Sequence, residues 1–103
     1  MCYSSGMSTS HFLIRLSGAQ TDLMTPELVS DHVSYLHQLH EAGHLVLCGP
    51  CEDGTAIIIL RCSNQAEAER LATQDPFAQV RAYRERSIVA FRPATPENNF
   101  LLR

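Results

Sequence analysis

One histidine and one aspartate are the side chains best suited to acid–base chemistry. His32 lies in a segment where Leu28, Leu36 and Leu39 recur at the three- to four-residue spacing of a helix. At about 100° per residue, His32 falls near the middle of this apolar arc, whereas His37 points away from its centre. A buried imidazole without a hydrogen-bond partner costs on the order of 1–3 kcal/mol. The pattern alone therefore indicates a core histidine that needs a partner.

Asp75 is the candidate partner for that histidine. Because it precedes Pro76, its simplest interpretation is a helix N-cap, which is worth about 1 kcal/mol. The two roles are compatible if one carboxylate oxygen caps the helix and the other faces His32. A carboxylate in that place would satisfy the imidazole and fix its tautomer, so that the ring becomes a competent general base.

Clusters of cysteine and histidine suggest two other chemistries, and the sequence favours neither. Cys48-Gly-Pro-Cys51 has the letters of the thioredoxin redox motif, but that chemistry needs a thiolate at a helix N-terminus and here a strand follows. We interpret it as a turn shaped by its Gly and Pro. His40 and His44 with the two cysteines offer zinc-type ligands, but Gly43 and strand alternation give them a poor geometry. We therefore expect no metal site and no catalytic disulfide.

The elements that must position these residues follow the order β-α-β-β-α-β. Strands are predicted at residues 11–17, 44–48, 55–61 and 86–92, and the main helices at about 26–42 and 64–73. Thr25 and Ser63 are the predicted caps of the two main helices, and a short helix is predicted from Pro76 through Tyr83. This order is typical of the ferredoxin-like fold, an α+β sandwich in which a four-stranded antiparallel sheet carries both main helices on one face.

The other face of that sheet is predicted to be apolar. It would carry Leu13, isoleucines of residues 55–61, and either Val89 or Phe91. A bare apolar sheet face usually marks an interaction surface, and pairing two sheets about a two-fold axis would bury it. We therefore expect a homodimer that forms through the sheet face.

Length and composition limit the class of protein. The 103 residues predict one domain, residues 11–92, between a flexible tail at 1–10 and a second tail at 93–103. The net charge of −3 and the lack of a basic run argue against nucleic-acid and membrane-surface partners. No signal peptide or membrane-spanning stretch is recognisable, so the expected location is the cytoplasm, with the four cysteines as reduced thiols. Translation could start at Met1 or at Met7.

Several segments together resemble the YCII-related family. They are Asp31-His32-Val33-Ser34-Tyr35-Leu36, the stretch from Gly43 to Pro50, Asp53-Gly54 and Asp75-Pro76-Phe77. Their order and spacing over about residues 11–92 are more specific than any one segment. The resemblance implies a ferredoxin-like dimer related to the dimeric α+β barrels, with an active site built from His32 and Asp75. One branch of that family resembles enzymes that remove chloride from a chlorinated hydroxyhydroquinone. Cys51 and the tail at 93–103, which could cover the site or a neighbouring subunit, lie outside the pattern.

These observations predict a small lyase- or isomerase-type enzyme. His32 would act as general acid and base with Asp75 orienting it, on a small organic substrate, cyclic or aromatic, held between the helices and the sheet. The resemblance implies that Gly49, Pro50 and Phe77 line the pocket, and it implies no cofactor. The alternative is a non-catalytic small-molecule-binding or accessory protein on the same dimer, with His32 as a satisfied core residue. An enzyme needs an open pocket beside His32, whereas a structural histidine would be sealed.

Overall fold

A computed structural model describes residues 10–102 as an α+β sandwich. Its strands are β1 (Ser10–Ala19), β2 (Leu45–Pro50), β3 (Ala56–Cys62) and β4 (Tyr83–Phe91), and its helices are α1 (Pro26–Glu41), α2 (Gln65–Gln74) and the single turn α3 (Pro76–Gln79). Short 3-10 turns occupy Thr21–Leu23 and Pro96–Leu101. All four strands pair antiparallel in the order β2-β3-β1-β4, which confirms the ferredoxin-like fold. The predicted N-terminal tail lies outside the described residues except for Ser10, which begins β1.

The ends of the two main helices follow from local chemistry. The Thr25 side chain accepts a hydrogen bond from the Leu28 amide at 3.1 Å at the start of α1, as predicted. Gly43, with φ at +82°, lets the chain turn away after α1 ends. The predicted cap of α2 was wrong by one residue, because the Asn64 side chain, and not that of Ser63, accepts from the Glu67 amide at 2.8 Å.

The segment between α3 and β4 differs from the sequence prediction. α3 ends at Gln79 instead of continuing through Tyr83, and Tyr83 is the first residue of β4. The chain cannot remain helical because Arg81 adopts a left-handed backbone conformation with φ at +57°. The strand therefore begins three residues before its predicted start at residue 86. This early start brings Tyr83 and Arg84 into the sheet.

The core lies between the helices and one face of the sheet. Phe12 and Ile14 of β1 and Ile58 and Leu60 of β3 are buried there against Leu39, Ala68, Leu71 and Ala72 of the helices. The apolar arc of α1 is only partly covered, since Leu39 is its one buried residue in the described structure, whereas Val29 and Val33 stay exposed. α1 therefore leaves a gap above the sheet at its N-terminal half.

The opposite face of the sheet carries apolar side chains in register. Leu13 pairs with Ile59 on one side and with Val89 on the other, and Leu47 pairs with Ile59. Leu47 is 54% exposed and Val89 is 51% exposed, while Ile59 between them is buried. The apolar character predicted for this face is therefore present. No helix within residues 10–102 is long and apolar enough to cross a membrane.

Candidate active site

A histidine on α1 and an aspartate between α2 and α3 meet above the sheet. Nδ1 of His32 lies 2.8 Å from Oδ1 of Asp75, although 43 positions separate the two residues in the sequence. Asp75 is buried, and the His32 side chain keeps 16% of its surface exposed. The imidazole therefore has the carboxylate partner expected from the sequence, and their part in catalysis stays a prediction.

Asp75 holds both of its roles with a single oxygen. Oδ1, which faces His32, also accepts a hydrogen bond from the Phe77 amide at 2.9 Å and so caps α3. The expectation that one carboxylate oxygen caps the helix while the other faces His32 was therefore wrong. One carboxylate oxygen has lone pairs for two donors, so the cap and the imidazole can share it. The sharing ties the position of the histidine ring to the start of α3.

The Phe77 ring holds the plane of the imidazole, and Tyr83 lies on Phe77. The Phe77 ring stacks on His32 with centroids 3.9 Å apart and planes 4° from parallel, and Tyr83 lies beside Phe77 at 6.2 Å. With Nδ1 donating its proton to the Asp75 carboxylate, Nε2 is the nitrogen left to accept a proton. Stacking and the hydrogen bond together hold the ring in one orientation. This is the arrangement that a general base needs.

An open cavity of about 370 Å³ lies beside His32, and we call it the histidine lobe. Its walls are mostly apolar, and they include the exposed valines of α1. Gly49, Pro50 and Phe77, the residues expected to line the pocket, all line it. His32 is therefore not sealed, which is the condition that the enzyme hypothesis required.

A second cavity of about 270 Å³, the arginine lobe, lies next to the first. Leu16, Ile58, Phe77 and Tyr83 line both, so the two lobes are neighbours, and together we call them the cleft. Asp75 and three arginines, Arg81, Arg84 and Arg86, line only the arginine lobe. The described tail residues, 93–102, line neither lobe. Sequence reasoning missed Tyr83 and the arginines, because Arg84, Glu85 and Arg86 are all charged and show no apolar alternation that would mark a strand.

Tyr83 supplies a hydroxyl to the shared wall of the cleft. Burial raises the pKa of Tyr83, and the negative charge of Asp75 raises it further. The phenol therefore stays protonated at neutral pH and can donate a hydrogen bond. The pKa of Tyr35 is also raised, by burial first and Asp75 second, but its hydroxyl already donates to the Leu71 carbonyl at 2.6 Å.

The Cys48–Cys51 segment is not the turn that the sequence suggested. Gly49 and Pro50 belong to β2, and the turn follows them, closed by a hydrogen bond from the Cys51 amide to the Thr55 carbonyl at 2.7 Å. Burial raises the pKa of the Cys48 thiol, and the Asp75 charge adds to the effect. Because a redox site needs a lowered thiol pKa, this environment opposes that chemistry.

One group of side chains in the described part of the chain could hold a metal ion. It consists of His44, Cys62 and Glu67, whose ligand atoms lie within 4.8 Å of one another at the end of β3 away from the cleft. It shares only His44 with the set considered from the sequence. Burial raises the pKa of Cys62 to about 11, which disfavours the thiolate that zinc requires. His44 Nδ1 is also engaged by the Arg61 carbonyl at 2.8 Å, and Glu67 accepts from the Ser63 amide.

Comparison with known proteins supports the fold. A 5-chloro-2-hydroxyhydroquinone dehydrochlorinase from Burkholderia phenoliruptrix AC1100, solved with 2,5-dihydroxybenzoquinone, superposes with a TM-score of 0.66 at 17% identity, covering 80% of this chain and 93% of that one. PA3566 from Pseudomonas aeruginosa gives a TM-score of 0.56 at 9% identity, covering 89% and 100%. Among curated proteins, no sequence matches significantly.

The family is shown by a match over most of the chain. The model of the YCII-related domain covers residues 13–92, from β1 through the end of β4. That span contains the segments whose order resembled this family, including those of His32 and Asp75. The chain therefore belongs to the YCII-related family.

Proposed function

We propose that the protein is a cofactor-independent enzyme of the lyase or isomerase type. His32 is its general acid and base, Asp75 orients His32, and the substrate is a small cyclic or aromatic organic molecule. The observation that carries the proposal is the 2.8 Å hydrogen bond between the two side chains beside an open cleft. A histidine with only a structural role would not need the cavity of about 370 Å³ next to it.

The pair of His32 and Asp75, the dyad, would work by holding the imidazole in one tautomer. Asp75 accepts the Nδ1 proton, so Nε2 takes a proton from the substrate and later returns it to product or solvent. The carboxylate then stabilises the imidazolium that forms. Such general-base help contributes about 10²–10⁴-fold to a rate. In an elimination, the electron pair of the broken bond to hydrogen would expel an anionic leaving group from the neighbouring position.

The substrate class rests on the cleft and on a structural relative. The relative from Burkholderia removes chloride from a hydroxylated aromatic ring, and its solved complex contains a dihydroxybenzoquinone. The histidine lobe of this chain has apolar walls and the Phe77 ring, which suit a flat ring of that size. We therefore propose a hydroxylated aromatic or quinone-like substrate, with Gly49 and Pro50 forming the wall opposite α1.

The test is chloride release from 5-chloro-2-hydroxyhydroquinone, measured with purified protein by ion chromatography. We expect turnover by the wild type, its loss in His32→Gln and a smaller decrease in Asp75→Asn, whose side-chain oxygen can still accept a hydrogen bond. His37→Gln is the matched control, because His37 is exposed on the same helix. If His32→Gln and His37→Gln retain equal turnover, His32 is not the base.

The alternative function is binding without catalysis. It would be supported by calorimetry that shows uptake of the aromatic compound, together with no turnover of chlorinated or unchlorinated hydroquinones. His32→Gln would then change stability or affinity alone. That combination of results would replace the enzyme proposal.

We also propose a homodimer formed through the outer sheet face. The exposed Leu47 and Val89 flank the buried Ile59 on that face, and pairing two copies would remove these apolar groups from water. In such a pair the tail at residues 93–102, which lines neither lobe of its own chain, is available to contact the other subunit.

The expected location remains the cytoplasm. It is supported by the three free cysteines among the described residues, since thiols persist in a reducing compartment. Fractionation of cells followed by immunodetection tests this expectation, and recovery in an extracellular or periplasmic fraction would contradict it.

A further inference from the structure

Three arginines from one short segment line a single lobe of the cleft. The chain has eight basic residues, all arginine, and a net charge of −3. Arg81, Arg84 and Arg86 all line the arginine lobe, next to the wall that it shares with the histidine lobe. A protein with a net negative charge thus concentrates positive charge at one end of its candidate active site.

The sheet directs two of these side chains toward the cleft. Arg86 pairs with Leu16 of β1, whose side chain lies on the helix side of the sheet, and Arg84 lies two residues before it on the same face. Glu85 between them points to the opposite face, where its carboxylate accepts a hydrogen bond from Ser17 at 3.2 Å. Strand alternation therefore separates the arginines from the nearest carboxylate in the sequence.

None of the three lobe arginines forms an ion pair within the described part of the protein, although the Asp75 carboxylate also lines this lobe. The ion pairs within residues 10–102 join His32 to Asp75 and Arg70 to Glu67, and neither includes a lobe arginine. The hydrogen bonds of the three guanidinium groups are long, from Arg81 to the Arg84 carbonyl at 3.3 Å and from Arg86 to Thr73 at 3.4 Å. Because each guanidinium has five N–H donors, most of them remain available.

The backbone at Arg81 is strained, as it is at Asn99, Phe100 and Leu101 outside the cleft, and this strain allows a variant that separates binding from folding. The Arg81 φ of +57° is a conformation that costs an arginine free energy and that glycine would adopt freely. The conformation is held by the Gln20 side chain, which donates to the Arg81 carbonyl at 2.7 Å.

We propose that the arginine lobe binds the anionic end of the substrate while its ring lies in the histidine lobe. The ligand is a small organic molecule with a planar, delocalised oxyanion, such as an enolate, a phenolate or a carboxylate. The planar guanidinium fork matches two such oxygens. Phe77 and Tyr83, which line both lobes, form the wall along which the ring lies. The inference rests on the proposed function and assigns its substrate class and the residues that select it.

The experiment compares two probes of the same ring by calorimetry. 2,5-Dihydroxybenzoquinone is a vinylogous acid that ionises at neutral pH, and 2,5-dimethoxybenzoquinone is its neutral analogue. We expect the ionised probe to bind at least about tenfold more tightly, and Arg84→Gln and Arg86→Gln each to remove about tenfold of that affinity. Arg92→Gln, which also removes an arginine but lies outside the cleft, should leave it unchanged. Rising salt should weaken only the ionised probe.

Arg81→Gly separates binding from folding. Glycine relieves the strained backbone, so this variant should fold at least as well as the wild type and still bind the ionised probe more weakly. Equal affinity for the two probes, or an equal effect of Arg92→Gln and the lobe variants, would overturn the proposal. So would inorganic phosphate competing as strongly as the quinone. His32→Gln should keep the preference for the ionised probe while losing turnover. If the preference is intact but His32→Gln retains the turnover of His37→Gln, or the wild type has no turnover, the catalytic proposal alone fails.

Discussion

Replacing Asp75 with alanine tests whether one buried oxygen holds the candidate active site together. Oδ1 accepts hydrogen bonds from His32 Nδ1 at 2.8 Å and from the Phe77 amide at 2.9 Å. Loss of the cap costs about 1 kcal/mol, and loss of a hydrogen bond to the charged carboxylate costs about 1.5–3 kcal/mol. We therefore expect Asp75→Ala to lower the free energy of unfolding by about 2.5–4 kcal/mol.

Urea denaturation measures this decrease in the free energy of unfolding, and two further variants separate its causes. Asp75→Asn keeps a side-chain oxygen for the cap and for the Nδ1 proton, so it should lose only about 1 kcal/mol, the part due to charge. Asp31→Ala is the surface control, because Asp31 is exposed on α1, and its effect should stay within about 0.5 kcal/mol.

A double-mutant cycle isolates the contribution of the pair itself. His32→Gln and Asp75→Ala should together cost at least about 1 kcal/mol less than the sum of their separate effects, because the two residues share one hydrogen bond. Strict additivity, or a cost for Asp75→Ala no larger than that for Asp31→Ala, would refute the reasoning. Additivity would show that Asp75 is not the energetic partner of His32, and the small cost would show that it is not an effective cap of α3 either.

Three further predictions concern the outer face of the sheet, a buried cysteine of the core and the close contact between β1 and β4. In sedimentation velocity at micromolar concentration, the wild type should be a dimer. The double variant Leu47→Glu, Val89→Glu should be a folded monomer, because both side chains are exposed on the outer sheet face. If the double variant remains a dimer, the interface lies elsewhere. The pKa of Cys62 is raised from 9.0 to about 11 in the folded protein, so the unfolded chain loses this proton first, and stability should fall between about pH 9 and 11. That fall should be smaller in Cys62→Ala, and equal profiles in urea titrations would contradict the assignment. Gly18→Ala should destabilise the protein more than Gly54→Ala in the same assay. Both glycines have positive φ, but only a Cβ at residue 18 would lie 3.0 Å from the Arg84 Cβ. Equal losses of stability would show that this contact relaxes without cost.

The element order and the two dyad residues could be predicted because their signals are local. Alternation with a period of two marked β1, and a continuous apolar run marked β3. A period near 3.6 with Thr25-Pro26 and Gly43 marked α1. His32 was conspicuous because an ionisable group occupied an apolar helical arc, and Asp75 because it preceded a proline. The ferredoxin-like order then placed both helices on one face of the sheet, so the two side chains could converge.

The polar half of the cleft was decided only by the tertiary structure. Arg84 and Arg86 alternate with Glu85 on an edge strand, and their polar side chains hid the start of β4, because strand prediction depends on an apolar face. Their side of the sheet is set by the register with β1, which no local pattern records. The stacking of Phe77 on His32 and the single oxygen shared by cap and imidazole likewise depend on how α3 packs against α1. The sequence by itself determined which residues could do the chemistry, and long-range packing decided what surrounds them, because contacts between distant segments follow from register and helix placement.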